Sequence, residues 1–396
     1  MTREGTTLDT PPRAARRTPE PGRPEPRPSD RARGRGAAPV LVRQLRGDVV
    51  ESEHRGHVVE VDAAGRLLHA VGDPERPVTL RSTAKPFGLV ALLEAGGRDA
   101  FELSEAELAF LASSHSGEDL HVRTLHGIFR RARLSQAMLA CGAEGMPLDP
   151  LTAARLARDG ERPGPARHMC SGQHAVFLLL SRLADWPLDG YWEPDHPAQV
   201  AYRGAVARAL GLAPTELRTV GDDCGVPTYV APLRILARAY ALLADPEALP
   251  AGDERASLGP HLRAIRDAML RHPEMVGGNR ERLDTSLMKT VPGRLVAKSG
   301  MEGLRGIAIL PGPRAGRAAT GASGVALKIE DGDGRGRASW AATIEALRQV
   351  GLLDGSPLRQ LGRYHRPPSL DSHGRVVAEA LPVFELVPLG ELVAGR

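Results

Sequence analysis

Lysine is the scarcest of the charged residues here. Among 52 basic side chains only four are lysine: Lys85, Lys289, Lys298 and Lys328. Positive charge is written as arginine almost everywhere, so a surviving lysine marks a place to ask what arginine cannot do. An amine loses its proton when desolvated and then serves as a base, whereas a guanidinium effectively never does. Long apolar runs are also absent. Runs such as Ala175–Leu180 and Leu89–Leu93 fall far short of the roughly 18 residues of a membrane helix. Cysteine is limited to Cys141, Cys170 and Cys224, an odd and small number that argues against a disulfide framework and for a reducing, cytoplasmic setting. No Gly-x-Gly-x-x-Gly or phosphate loop follows a strand-like run, which gives a nucleotide site little support.

What is present is ordinary for a globular chain of 396 residues, with 42% hydrophobic and 25% charged residues. The net charge of +4 is carried by residues 1–39, where nine arginines face five acids among eight prolines. That composition predicts an Arg/Pro-rich tail that does not fold, without the apolar segment of a secretory signal. Residues 40–396 are formally neutral, so specific nucleic-acid binding is not expected.

Within 40–396 the pattern changes twice. Residues 40–73 break like an antiparallel meander, with Val49-Val50, His57–Val61 and Leu67–Val71 separated by turns. Residues 86–290 read mainly helical, with Val122, Leu125 and Phe129 on one face and Leu233, Leu236, Tyr240 and Leu243 on another. From about 292 short strands return (Arg294–Lys298, Gly306–Leu310, Gly324–Ile329), then a helix carrying Trp340, Ile344 and Leu347 with Ser339 as its cap. An α+β fold follows: a mixed sheet from N- and C-terminal strands (about 40–80 and 292–396) with an inserted helical lobe.

Three segments carry chemistry. Arg81-Ser82-Thr83-Ala84-Lys85-Pro86 opens the helical region and brings a hydroxyl and an amine one helical turn apart. A base is what turns a serine into a nucleophile. Ser-x-x-Lys also occurs at Ser286–Lys289, although composition predicts about 0.2 chance occurrences. Lys298-Ser299-Gly300, ending a strand-like run, separates the two. Serine acyl-transfer enzymes combine Ser-x-x-Lys at a helix start with Lys-Thr-Gly on an edge strand and a serine element between. Ala112–Gly117, with Ser114, fits that middle place, although Ser-His-Ser is not the Ser-Asp-Asn of β-lactamases. The third segment, Arg167–His174, pairs with Gly221–Gly225; Cys170 and Cys224 are either buried free thiols or soft metal donors.

Together Arg-Ser-x-x-Lys-Pro-Phe, Ala-Ser-Ser-His-Ser-Gly-Glu, Cys-Ser-Gly-x-His-Ala and Val-Ala-Lys-Ser-Gly-x-Glu-Gly resemble the rhizobial-type L-asparaginases, also called asparaginase II, from about residue 40 onward. The resemblance implies a fold related to serine β-lactamases and glutaminases. It implies two catalytic Ser-Lys pairs, Ser82, Lys85, Ser114 and Lys298, with Arg81, His174 and Asp222 around the substrate. It further implies a zinc held by Cys170, Cys224 and a lysine, in whose place this chain has Gln173, a weaker donor. L-asparagine hydrolysis and a homodimer are the accompanying expectations. Glutaminase activity, or a non-catalytic zinc- or amino-acid-binding relative, is the alternative.

Overall fold

The computed structural model describes residues 37–142, 147–249, 252–315, 317–334 and 336–388. The expectation for the 1–39 tail therefore lies almost wholly outside the described residues.

From Ala38 onward the chain forms one compact unit. Its main sheet is antiparallel and assembled from both ends of the sequence. Strands β1 (Val40–Arg46), β2 (Val49–Asp62) and β3 (Leu67–Val71) come from the front. Strands β4 (Pro77–Thr79), β5 (Arg218–Gly221) and β6 (Pro227–Pro232) form a separate small sheet in the order β4-β6-β5. Strands β7 (Leu295–Gly300) and β8 (Leu304–Ile309) return to the main sheet, and β9 (Gly312–Arg314) and β10 (Arg317–Thr320) make a short ribbon. β11 (Ser323–Ile329), β12 (Pro368–Leu370), β13 (Val376–Pro382) and β14 (Val387–Pro388) complete the set. The main order is β12-β13-β1-β2-β11-β8-β7, with β3 also pairing β2 and β14 pairing β3.

The expected meander differs in one respect. Val49-Val50 and His57–Val61 lie on one 14-residue strand, not on two strands with a turn between. The polar stretch Glu51–Arg55 stays extended because that half of β2 pairs only with β1 and remains largely exposed. The other half, from Gly56, pairs with β11 and is buried. Gly56 marks the change of partner: a Cβ there would lie 2.2 Å from the Lys328 carbonyl oxygen.

The helical lobe spans the middle of the chain as the periodicity predicts. Its helix Leu233–Ala244 docks on the sheet through glycine seats. A Cβ at Gly306 would fall 2.1 Å from the Tyr240 ring, and one at Gly324 would fall 1.9 Å from the Ala237 carbonyl oxygen. The expected C-terminal helix runs Arg337–Gln349, but Ser339 is not its cap. Gly336 takes that place in a left-handed conformation, and the Asp333 carboxylate receives the Ser339 N–H at 2.6 Å. Among the described residues no helix is long and apolar enough to cross a membrane.

Candidate active site

Ser82 lies in a tight turn, Arg81–Ala84, that leads into the short helix Lys85–Gly88, so Pro86 sits where a helix tolerates it. The Lys85 N–H bonds to the Ser82 carbonyl. Arg81 adopts φ 48°, a left-handed conformation that costs a non-glycine residue roughly 1–3 kcal/mol. Its guanidinium is held by Asp222 (3.3 Å) and Asp223, and its N–H donates to Thr228 Oγ1 (3.0 Å). Asp222 is shifted upward by burial, with Arg81 opposing.

Ser114 follows the helix Glu105–Leu111, which a Ser104–Glu107 capping box starts. The Ser114 backbone is fixed from two sides: its N–H donates to the Val276 carbonyl (3.1 Å), and its carbonyl accepts from Arg282 (2.8 Å). Beside it, His115 and His121 stack at 4.6 Å and both are buried. Each accepts a backbone N–H on Nδ1, from Gly117 (3.0 Å) and Glu118 (3.1 Å). Each therefore carries its proton on Nε2, toward Ser171 Oγ and the Glu274 carbonyl. Burial lowers the proton affinity of both rings, and for His115 it does so strongly.

The two rare lysines meet at this serine. Lys85 Nζ donates to the Ser113 carbonyl (3.0 Å), Ser114 Oγ (3.1 Å) and Cys170 Sγ (3.3 Å). Lys298, on edge strand β7, lies 2.8 Å from Ser114 Oγ and 2.8 Å from the Ser299 carbonyl. Both amines are buried, at 1% and 0% exposure. Burial and the Lys85 charge push Lys298 well below the ordinary lysine range, against the pull of Asp284.

Ser82 and Ser114 line one cavity of about 310 Å³, walled by Glu281–Asp284, Ser299–Arg305 and Gly332–Gly334 with Trp340. Ser82 and Ser114 thus share the wall, while Lys85 and Lys298 reach Ser114 without lining the cavity, and the pairing differs from the expected one. Both amines bond to Ser114, and among the described residues the Ser82 hydroxyl makes no hydrogen bond. Arg81, His174 and Asp222 are not among the lining residues. His174 is fully buried, with Nδ1 on Tyr191 OH (2.7 Å), and burial lowers it to about 3. The second Ser-x-x-Lys is elsewhere: Ser286 bonds Tyr364 OH (3.0 Å) and Lys289 is exposed.

Cys170 and Cys224 are free and buried, and each acts on the other's thiol. Cys224 and Lys85 push Cys170 down, and Cys170 with burial pushes Cys224 up. The Gln173 amide nitrogen donates to Tyr202 OH (3.3 Å). Two sulfurs and a neutral amide do not make the donor set of a tetrahedral zinc site. Among the described residues no three His, Cys, Asp or Glu side chains converge to hold a metal.

Sequence reasoning missed Arg282 and Asp284. Arg282 holds the Ser114 carbonyl; Asp284 takes the Ser299 N–H (2.8 Å) and hydroxyl (2.7 Å) and pairs with Arg305. No motif marks them, because a charge destined for burial is spelled like a surface one.

Comparison with known proteins first defines the class: a hydrolase acting on amide bonds, of the asparaginase type. The chain belongs to the L-asparaginase II family, whose profile matches residues 42–382. No curated protein sequence matches. Among solved structures, Mglu is similar at 16% identity, covering 76% of this chain and 69% of that one, with a TM-score of 0.33. A probable glutaminase of Bacillus subtilis is similar at 12% identity, covering 70% and 82%, with a TM-score of 0.35.

Proposed function

We propose that the protein hydrolyses the side-chain amide of L-asparagine to L-aspartate and ammonia through a serine ester. The observation that carries this reading is the Ser114 hydroxyl held between two buried lysine amines at the wall of a cavity that Ser82 also lines. A neutral Lys298 accepts the Ser114 proton while Lys85 donates to the same oxygen, so the hydroxyl is a two-way relay. Ser82 attacks the amide carbon and its proton passes through Ser114 to the amine pair. Backbone N–H groups around Ser82 receive the oxyanion, each typically worth about 3–4 kcal/mol in such sites. The relay returns a proton to the departing ammonia, and water then cleaves the aspartyl ester. No step needs a metal.

Ammonia release from L-asparagine and L-glutamine tests the reading and ranks the two amides. Ser82→Ala should lose about 10³-fold or more in kcat while its thermal unfolding stays unchanged. Ser286→Ala should keep turnover. Equal losses from both variants, or no release from either amide, would overturn the reading.

One observation favours a second reading, in which Ser114 is the attacking hydroxyl: both amines bond to Ser114 and neither to Ser82. Peptide mapping of acid-quenched enzyme separates the two, since the aspartyl ester sits on the peptide of residue 82 or on that of residue 114.

A further inference from the structure

Lys85 and Lys298 reach the same hydroxyl, but they are not held alike. A lysine amine in its charged form has three N–H donors and no acceptor, so when buried it needs three partners. Lys85 has them: the Ser113 carbonyl at 3.0 Å, Ser114 Oγ at 3.1 Å and Cys170 Sγ at 3.3 Å. Among the described residues Lys298 has two, Ser114 Oγ and the Ser299 carbonyl, both at 2.8 Å. The relay described above uses Ser114 and gives Cys170 no part. That sulfur is nevertheless the third point that fixes the Lys85 amine.

The place of Cys170 is itself built. The residue immediately precedes the helix Ser171–Leu183. Its N–H donates to His168 Nδ1 at 3.0 Å, and its carbonyl accepts the His174 N–H at 3.0 Å. With both backbone groups tied, the sulfur is set beside the Lys85 amine, and the two side chains belong to residues only 5% and 1% exposed.

The resemblance gives this sulfur a different task, as a zinc ligand, and its neighbours do not support that task. Gln173 stands where a lysine donor is implied, and its amide nitrogen donates to Tyr202 OH at 3.3 Å. Tyr202 is a fixed anchor: it is 1% exposed, and a Cβ on Gly88 would lie 1.9 Å from its Cζ. His174 does not replace the missing donor. Its Nδ1 faces Tyr191 OH at 2.7 Å, and that hydroxyl accepts the Ala140 N–H at 2.7 Å, which leaves its own proton to give to Nδ1. The imidazole proton then sits on Nε2, where no lone pair remains for a metal. Two sulfurs without a third and fourth donor fall short of a tetrahedral site.

We propose that Cys170 is a positioning residue of the relay in this chain: without a metal, its sulfur takes the third N–H of Lys85 and keeps that amine aimed at Ser114. This rests on the amide-hydrolase reading above. It gives a function to a buried thiol that the chemistry of the reaction does not itself consume.

Cys170→Ala removes the acceptor and should lower kcat about tenfold at unchanged KM, the scale of one hydrogen bond to a charged group. Cys170→Ser keeps an acceptor and should recover most of that loss; equal losses in the two variants would overturn the proposal. Dialysis of wild type against a chelator should leave kcat and KM unchanged, and a loss that zinc restores would also overturn it. A readout apart from turnover comes from the scarcity of lysine. Isotope-labelled lysine gives four side-chain signals by NMR, of which Lys85→Arg removes one. That signal should move in Cys170→Ala and stay in place in Cys141→Ala, whose thiol lies on the Pro165 carbonyl at 3.6 Å. Should Cys170→Ala not fold, Cys170→Ser carries the same comparison. A Lys85 signal that does not move overturns the proposal whatever the turnover. If wild type releases no ammonia from either amide, the hydrolase reading fails, and the NMR comparison alone decides whether Cys170 holds Lys85.

Discussion

A buried amine, a buried imidazole and a neutral amide set the properties of this site one residue at a time. Lys298 is depressed by burial and by Lys85, and the mechanism proposed above uses its unprotonated form. The rate should rise with pH through the Lys298 pKa and fall as acid protonates it. Lys298→Arg, which cannot deprotonate, should lose about 10²–10⁴-fold in kcat across that range. His115 and His121 carry the same sign into stability. Their folded proton affinity lies below the unfolded value of about 6.5, so their contribution is complete above that pH and is lost on acidification. Each contributes a slope of up to about 1.4 kcal/mol per pH unit below 6.5. Urea titrations from pH 7.5 to 4.5 should show a flatter slope for His115→Gln than for wild type. Gln173→Lys restores the donor implied by the resemblance and should bind zinc at least tenfold more tightly than the parent, read by competition with a chromophoric chelator. Scarcity made Lys85 and Lys298 legible in the sequence. The burial of Arg282, Asp284 and Asp333 was not, because it depends on what folds over them.

At the scale of elements, the cavity wall at 277–284 is held by a buried polar clamp. Gly278, at φ 117°, leaves room for the Ser116 hydroxyl, which a Cβ would approach to 2.0 Å. Glu118 takes the Asn279 N–H (2.7 Å), and fully buried Asp149 takes Arg280 at 2.6 and 2.8 Å. Burial raises the Asp149 carboxyl, but Arg280 and Thr152 outweigh it and hold it at about 2. The opposite support is Tyr240, whose ring fills the Gly306 seat and whose hydroxyl donates to the Thr83 carbonyl (2.9 Å), next to Ser82. Gly306→Ala should therefore lower both the unfolding temperature and kcat, whereas Tyr240→Phe should cost about 1 kcal/mol in urea unfolding. The periodicities of the helical lobe were readable because each apolar stripe faces the core. β4 was not, since three residues (Pro77–Thr79) give no alternation to read, and neither was the continuity of β2, whose polar half imitates a loop.

The whole molecule closes only when its two ends meet. The main sheet begins at Val40, and the family profile matches from residue 42, so a chain lacking residues 1–37 should keep its ammonia release and melting temperature. Light scattering should give a particle of twice the chain mass if the homodimer implied by the resemblance forms. Deep in the sheet, Glu60 receives the hydroxyl of Ser323, 263 positions later, at 2.6 Å. On the ribosome that separation becomes a waiting time. At roughly 5–20 residues per second, the β2 edge is made tens of seconds before the β11 segment that covers it. An uncovered strand edge invites pairing with other chains. Synthesis of this protein thus passes through a sticky half-product, and expression yield should respond to slower elongation or to holdase supply more than the finished fold would suggest.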